Sequence, residues 1–192
     1  MFTALLDTCV LWPSLQRDVL LSLAAEGMYR PAWNHVILAE LEYEEAVKLA
    51  RRGVEPIGAE RRAARLIQQM RGAFDDAEIT GWEGLEGTYH LPDPNDEHVV
   101  AAAVVAGAGA IITLNTKDFP AARLPHGLET LRPAEFAANT VSLDPHRALH
   151  AVRTLASRTG TRGPARTVTE LLDILAHRYG FDAAVDQLRT IQ

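Results

Sequence analysis

One stretch of the chain, residues 91–120, most constrains how the chain can fold. It reads LPDPNDEHVVAAAVVAGAGAIITLNTKDFP. Its prolines disfavour helix before Pro94, and the Ala/Val-rich run that follows ends at Gly107, so the pattern predicts a buried helix. Residues 110–114 are short, apolar and rich in β-branched side chains. They predict a parallel strand that is covered on both faces.

Acidic residues stand at both ends of this stretch. Asp93 and Asp96 lie where the predicted helix begins, and Asp118 follows the predicted strand. In an open α/β sheet, the loops after the carboxyl ends of the strands line the ligand crevice. We therefore expect Asp118 and the start of the helix to face one site.

Two more acids lie earlier in the chain, and the first of them, Asp7, occupies a comparable position. Asp7 follows a short apolar stretch, residues 2–6, which predicts a first strand. Glu40 lies in an amphipathic segment that Asn34 can cap, and it stands beside the apolar face, where a carboxylate needs a partner. The alternation of strands and helices predicts an α/β fold, with three layers (α/β/α) around a short central parallel sheet.

The last third of the chain has a different pattern. Beyond residue 134 no convincing strand is visible, whereas residues 145–155 and 168–188 have helical periodicity. We predict an α/β domain over residues 1–136 and a helical C-terminal extension over residues 137–192. Earlier in the chain, the glycine-rich residues 72–90 predict a loop with little regular structure.

Composition limits the possible functions without selecting one. The net charge of -6 argues against a surface that attracts nucleic acid everywhere, but it permits a local cluster of carboxylates. The single cysteine, Cys9, excludes an internal disulfide and fits a reducing cytoplasm. We interpret Cys9 as a small core residue rather than a nucleophile. No apolar run approaches the roughly 20 residues of a membrane helix, so we expect a cytoplasmic protein.

The acids that border the predicted crevice would repel one another and raise each other's pKa values. They are Asp7, Asp96 and Asp118, and Glu40 is the fourth candidate acid. A hard divalent cation such as Mg²⁺ or Mn²⁺ removes this penalty and can activate water for attack on a phosphodiester. We expect Thr113 and Asn115 to orient ligands or water. His98 leaves the helix in a different direction from Asp96, which favours a packing or capping role over that of a general acid.

Four segments together resemble the PIN-domain ribonucleases, in particular the VapC-type toxins of bacterial toxin–antitoxin pairs. They are LLDTCVLWP, WNHVILAELE, LPDPNDEHVVAAA and IITLNTKDFP, and the similarity spans about residues 2–136. In that family an acidic quartet binds Mg²⁺ or Mn²⁺ and cleaves RNA. The resemblance implies that Asp7, Glu40, Asp96 and Asp118 form this quartet, with Asp93 as an alternative third acid. The C-terminal helices resemble those of a longer VapC-like subgroup.

The resemblance also implies an activity and partners. It implies a metal-dependent endoribonuclease that hydrolyses RNA phosphodiester bonds, a cognate VapB-like antitoxin and a homodimer. One alternative is a catalytically silent PIN-like protein-binding module, which the presence of all four acids disfavours. A second alternative concerns regulation, because residues 140–192 could cover the site as a built-in lid in place of an external antitoxin.

Overall fold

The computed structural model describes residues 1–160 and 164–192. Five strands form one parallel sheet in the order β3-β2-β1-β4-β5, flanked by helices. The strands are β1 (Thr3–Leu6), β2 (Arg30–Asn34), β3 (Glu78–Ile79), β4 (Ala110–Ile112) and β5 (Glu129–Leu131). The predicted α/β class, with a central parallel sheet and C-terminal helices, is confirmed.

The helices of the first two thirds of the chain alternate with these strands. They are α1 (Thr8–Leu11), α2 (Ser14–Ala25), α3 (His35–Arg51), α4 (Pro56–Ala73) and α5 (Glu97–Val105). Four more follow the sheet: α6 (Pro133–Leu143), α7 (Pro145–Arg158), α8 (Val168–Tyr179) and α9 (Asp182–Thr190). Among the residues that the structure describes, no helix is both long and apolar enough to cross a membrane.

The centre of the sheet sets the position of the predicted site. Strands β1 and β4 are parallel neighbours, with Leu5 opposite Ile111, and both side chains are fully buried. The ladder continues one residue past β1, because the Asp7 N–H donates to the Ile112 carbonyl at 3.1 Å. The residues that follow the two strands, Asp7 and Thr113, are therefore placed side by side.

The structure departs from the sequence predictions at three places. Residues 72–90 were expected to lack regular structure, but they contain β3, which pairs with β2 through Asn34 and Ile79. A two-residue strand is too short to show the alternation of apolar and polar residues by which a strand is recognised in a sequence. Strand β4 ends at Ile112 rather than at residue 114, and the Leu114 side chain is exposed. The periodic residues 168–188 form two helices, because Gly180 adopts a left-handed conformation with φ of 70°.

The chain divides into two compact units that are not continuous in sequence. One unit comprises Phe2–Trp12 and Pro31–Thr130, and the other comprises Met1, Pro13–Arg30 and Leu131–Gln192. Helix α2 thus belongs to the same unit as the C-terminal helices. The predicted domain boundary between residues 136 and 137 stays a prediction. The Gly/Arg/Thr-rich residues 157–167, which the sequence predicts to be a linker between the two helical segments, lie in part outside the described residues.

The unit that contains α2 has its own apolar interior. Tyr29 is buried there, its hydroxyl donates to the Leu20 carbonyl at 2.9 Å, and its ring meets Phe136 edge-on at 4.8 Å. Helix α2 also packs against α7 and α8. The apolar face of α2 is therefore covered by residues from the end of the chain, which the local sequence pattern could not show.

Candidate active site

Asp7 lies at the end of β1 with its carboxylate directed to neighbouring side chains. It occupies the N-cap position of α1, but its side chain makes no capping hydrogen bond. Instead Asp7 Oδ2 accepts from Thr113 Oγ1 at 2.6 Å and from Cys9 Sγ at 3.1 Å. Both donors engage the same carboxylate oxygen, so they fix the orientation of Asp7.

The loop after β4 is tied to this carboxylate. Thr113 is fully buried, and its Oγ1 also accepts from the backbone N–H of Asn115 at 3.0 Å. The backbone N–H of Leu114 donates to Cys9 Sγ at 3.2 Å. Thr113 thus contacts one of the predicted acids directly. Asn115 takes part here through its backbone, and the expected role of its side chain stays a prediction.

Cys9 lies beside Asp7 rather than in the apolar core, and in this respect its interpretation as a core residue was wrong. It is half-buried. Burial and the neighbouring charge of Asp7 raise the pKa of the Cys9 thiol to about 12. The thiol therefore remains protonated at neutral pH and acts as a hydrogen-bond donor to Asp7. The sequence signal was its position two residues after a predicted site acid.

Glu40 is brought to the same region by α3. Its Oε2 accepts from Thr8 Oγ1 at 2.6 Å, and Thr8 directly follows Asp7 in the chain. The start of α3 is fixed by Asn34, whose Oδ1 accepts from the Ile37 N–H at 2.9 Å. The Glu40 side chain is exposed. The partner that the sequence required for Glu40 is therefore Thr8, which sequence analysis did not identify.

The acids of the third motif have different roles in the structure. Asp93 caps the short 3₁₀ turn Pro94–Asp96 by accepting from the Asn95 N–H at 2.9 Å. Glu97 is buried, and its two carboxylate oxygens accept from the backbone N–H groups of Leu91 at 2.8 Å and Tyr89 at 3.0 Å. The Asp96 side chain makes no capping bond, although it precedes α5. Of the three, Asp96 is the acid whose carboxylate serves neither a cap nor this loop.

Asp96 is the most perturbed carboxylate of the site. It is half-buried, and its pKa is raised to about 6 by burial and by neighbouring negative charges. In decreasing order of effect these charges belong to Asp7, Asp93, Asp118 and Glu40. Asp7, Glu40 and Asp118, the other acids of the predicted quartet, are therefore each within electrostatic reach of Asp96.

Asp118 reaches this group from the loop that follows β4. Its backbone N–H donates to the Asn115 carbonyl at 3.0 Å, and the next residue, Phe119, is buried. The loop is thus a short turn anchored at its far end by an apolar side chain. This turn holds Asp118 on the side of the sheet where Asp96 feels its charge.

The donor chemistry of this group suits a hard cation. In the described part of the chain, no group of three or more His, Cys, Asp or Glu side chains is already arranged to hold a metal ion. Burial and the charges of the neighbouring carboxylates instead raise the pKa of Asp96. A divalent cation with a preference for oxygen would offset this repulsion. The residues present therefore fit Mg²⁺ or Mn²⁺ by chemistry.

His98 packs under the site, as expected for a packing histidine. It is buried and forms a hydrogen bond with Asn34 through its ring Nδ1 at 3.0 Å. Its ring also lies 6.0 Å from the ring of Trp82, which is buried as well. Sequence analysis had given Asn34 the role of a helix cap alone.

Comparison with known families agrees with the resemblance drawn from the four segments. The family model of the PIN domain matches residues 3–117, and the model of the VapC50 C-terminal domain matches residues 133–190. No significant match was found among curated proteins or solved structures. The PIN match covers more than half of the chain. The chain therefore belongs to the PIN domain family, with the C-terminal domain found in VapC50, as in a VapC-type toxin with a C-terminal extension.

Proposed function

We propose that this protein is a divalent-metal-dependent endoribonuclease of the VapC type, which hydrolyses RNA phosphodiester bonds at the Asp96 cluster. This cluster comprises Asp7, Glu40, Asp96 and Asp118. Membership of the PIN and VapC families supports a nuclease toxin in general. The observation that supports the metal-dependent form is the pKa of Asp96, which is raised to about 6 by burial and then by the charges of Asp7, Asp93, Asp118 and Glu40. Acids from four separate segments thus meet at a cost that a cation would remove.

We assign the cation to Asp7, Asp96 and Asp118, with Glu40 as the fourth acid of the site. When bound, Mg²⁺ or Mn²⁺ would lower the pKa of a coordinated water and stabilise charge on the phosphate. Thr113 and Cys9 both donate to Asp7 Oδ2, so they hold the carboxylate that would bind the cation. Thr113 thereby keeps Asp7 in one orientation before metal or RNA arrives.

Glu40 is assigned to the orientation of water. Its carboxylate is exposed, and Thr8 holds its Oε2 at 2.6 Å. A carboxylate fixed in this way would accept a hydrogen bond from a water molecule and orient it towards the phosphodiester. Thr8 therefore serves Glu40 as Thr113 serves Asp7.

The partners follow from the family and from charge. We propose that RNA is the substrate and that a VapB-like antitoxin silences the protein by placing Arg or Lys among the site carboxylates. A cavity of about 440 Å³ between α3 and α4 supports this partner. It combines apolar residues such as Tyr43 and Ala46 with Glu42 and Glu60, so it suits a segment with apolar and basic side chains. The homodimer and the cytoplasmic location belong to the same proposal.

Binding of Mn²⁺ to the folded protein tests the metal site independently of cleavage. A ligand that binds only the folded state stabilises it, by ~2.7 kcal/mol at 100 times its Kd. We expect Mn²⁺ to raise the melting temperature of the wild type and to have little effect on the Asp7→Asn, Asp96→Asn double variant. Asp75→Asn, an exposed acid outside the cluster, is the matched control. An equal gain by wild type and the double variant would refute the shared metal site.

Cleavage of RNA tests the activity itself. The wild type should cut total RNA in the presence of Mg²⁺ or Mn²⁺, and EDTA or the Asp7→Asn change should abolish the cleavage. A folded wild type that binds no Mn²⁺ and cuts no RNA would instead support the silent protein-binding module.

A further inference from the structure

Asn34 makes more hydrogen bonds than a helix cap requires. It is fully buried at the end of β2. Its Oδ1 accepts from the Ile37 N–H at 2.9 Å, and its Nδ2 donates both to His98 Nδ1 at 3.0 Å and to the His98 carbonyl at 3.1 Å. Serine, threonine or aspartate could supply the first bond. Only an amide can supply all three, because it combines an acceptor with two N–H donors.

These bonds fix the tautomer of His98. The Ile37 N–H identifies the oxygen of the Asn34 amide, so the NH₂ group must face His98. An NH₂ group donates, so Nδ1 accepts and the neutral ring has its proton on Nε2. Both the orientation and the tautomer of His98 are thus determined by Asn34.

The pair joins the starts of two helices that present acids to the site. Asn34 immediately precedes α3, which contains Glu40 in its second turn. His98 is the second residue of α5, and Asp96 immediately precedes that helix. The separation of Glu40 and Asp96 therefore depends on how the first turns of α3 and α5 are held together. The hydrogen bonds from Asn34 to the backbone carbonyl and the ring of His98 hold these two first turns together.

We infer that Asn34 and His98 are positioning residues that set Glu40 relative to Asp96, so that metal binding depends on two residues that are not metal ligands. This inference rests on the proposed metal site. It places polar contacts behind Asp96, which would hold the cation, and behind Glu40, which would orient the water. Polar partners of this kind typically change metal affinity or activity by ~10–100-fold when they are removed.

Four variants test the pair. Asn34→Ser keeps a capping oxygen for α3 but removes both donors to His98. His98→Leu removes the ring acceptor, whereas His98→Asn retains an acceptor close to the place of Nδ1. The fourth variant combines Asn34→Ser with His98→Leu. The Mn²⁺ affinity of each variant and of the wild type is measured by thermal-shift titration and by the electron paramagnetic resonance signal of free Mn²⁺. Their kcat and KM are measured with RNA as the substrate.

We expect Asn34→Ser and His98→Leu each to weaken Mn²⁺ binding by ~10-fold or more and to lower kcat more than they change KM. His98→Asn should recover Mn²⁺ affinity to within about threefold of the wild type. The double variant should lose no more than the worse single variant, because both changes remove the same contact. A purely structural role would lower the melting temperature and leave the Mn²⁺ affinity of the folded protein unchanged.

Three results overturn the inference. A folded Asn34→Ser protein with wild-type Mn²⁺ affinity and kcat refutes the positioning role of Asn34 and His98, while the proposed metal site stands. If Asn34→Ser does not fold, equal Mn²⁺ affinities for His98→Leu and His98→Asn refute it in the same way. A wild type that binds no Mn²⁺, or whose binding survives the Asp7→Asn, Asp96→Asn change, refutes the proposed function and this inference together.

Discussion

Replacing Asp96 by asparagine should stabilise the metal-free protein at neutral pH. The pKa of Asp96 rises from 3.8 to about 6 on folding, through burial and the charges of neighbouring acids. The folded protein therefore keeps a proton that the unfolded chain releases between about pH 4 and pH 6. By linkage, the free energy of unfolding falls as pH rises through this window.

The size of the effect follows from the pKa values. At ~1.4 kcal/mol per pKa unit, a rise of the pKa from 3.8 to about 6 sets a ceiling of ~3 kcal/mol. Asp96 is only half-buried, so solvent screens its charge and we expect about half of this value, ~1.5 kcal/mol. Asp96→Asn removes the charge and keeps the shape. Near pH 7.5 the free energy of unfolding of Asp96→Asn should therefore be ~1.5 kcal/mol higher than that of the wild type.

Urea denaturation followed by circular dichroism, in EDTA and between pH 4 and pH 8, measures this difference. The two proteins should be equally stable near pH 4 and diverge as pH rises. His98, whose pKa burial lowers, contributes a pH dependence of its own, but it is present in both proteins and cancels in the comparison. Asp75→Asn serves as the exposed control.

The order of stabilities should reverse when Mn²⁺ is added, because the wild type then gains more from the cation than the variant does. A difference between wild type and Asp96→Asn that does not change with pH would refute the electrostatic account of this site. So would an Asp96→Asn protein that is less stable than the wild type near pH 7.5 in EDTA.

Four further predictions concern the rest of the molecule. Glu40→Gln should fold normally yet lose RNA cleavage by orders of magnitude in single-turnover assays, and unchanged cleavage would make Glu40 a structural residue. Because the pKa of the Cys9 thiol is about 12, a thiol reagent such as DTNB should label Cys9 slowly at pH 8 in the folded protein and rapidly in urea. Rapid labelling of the folded protein would contradict the bonds to Asp7. A chain cut after residue 138 should aggregate, since α7 and α8 no longer cover α2, and a folded monomer of this length would show that α2 is stable without them. Light scattering of the purified protein should give twice the chain mass of 21.0 kDa if the homodimer forms, and a single chain mass would refute it.

Sequence reasoning could place the acids because topology fixes where strands end. Asp7 follows β1 and Asp118 lies in the loop after β4, and these strands are neighbours in the sheet. The general rules of parallel α/β folds lead one to expect that the ends of such strands lie close together. The catalytic roles of these acids stay predictions. Their proximity nevertheless has a measurable expression in the pKa of Asp96.

The residues that hold the acids could not be identified in this way. Thr8 and Glu40 are separated by 32 positions, and Thr113 and Asp7 by 106. Each bond depends on how two elements pack, and no local pattern records that packing. The role of Glu97 escaped for a similar reason, because its backbone partners belong to the irregular loop before it. Periodicity likewise indicated that α2 buries one face but could not indicate which residues cover it.

The division of the chain into discontinuous units has a consequence for synthesis on the ribosome. By residue 118 all four acids have been made, but the unit that contains α2 lacks residues 131–192. At ~5–20 residues per second, those residues take roughly 3–12 s to follow. Until they emerge, α2 lacks the helices α7 and α8 that pack against it, and the hydrogen bond from Arg158 to Ser22 must later close a separation of 136 positions. Each new molecule therefore passes through a stage in which its acids are complete, its helical unit is not, and α2 is open to chaperones.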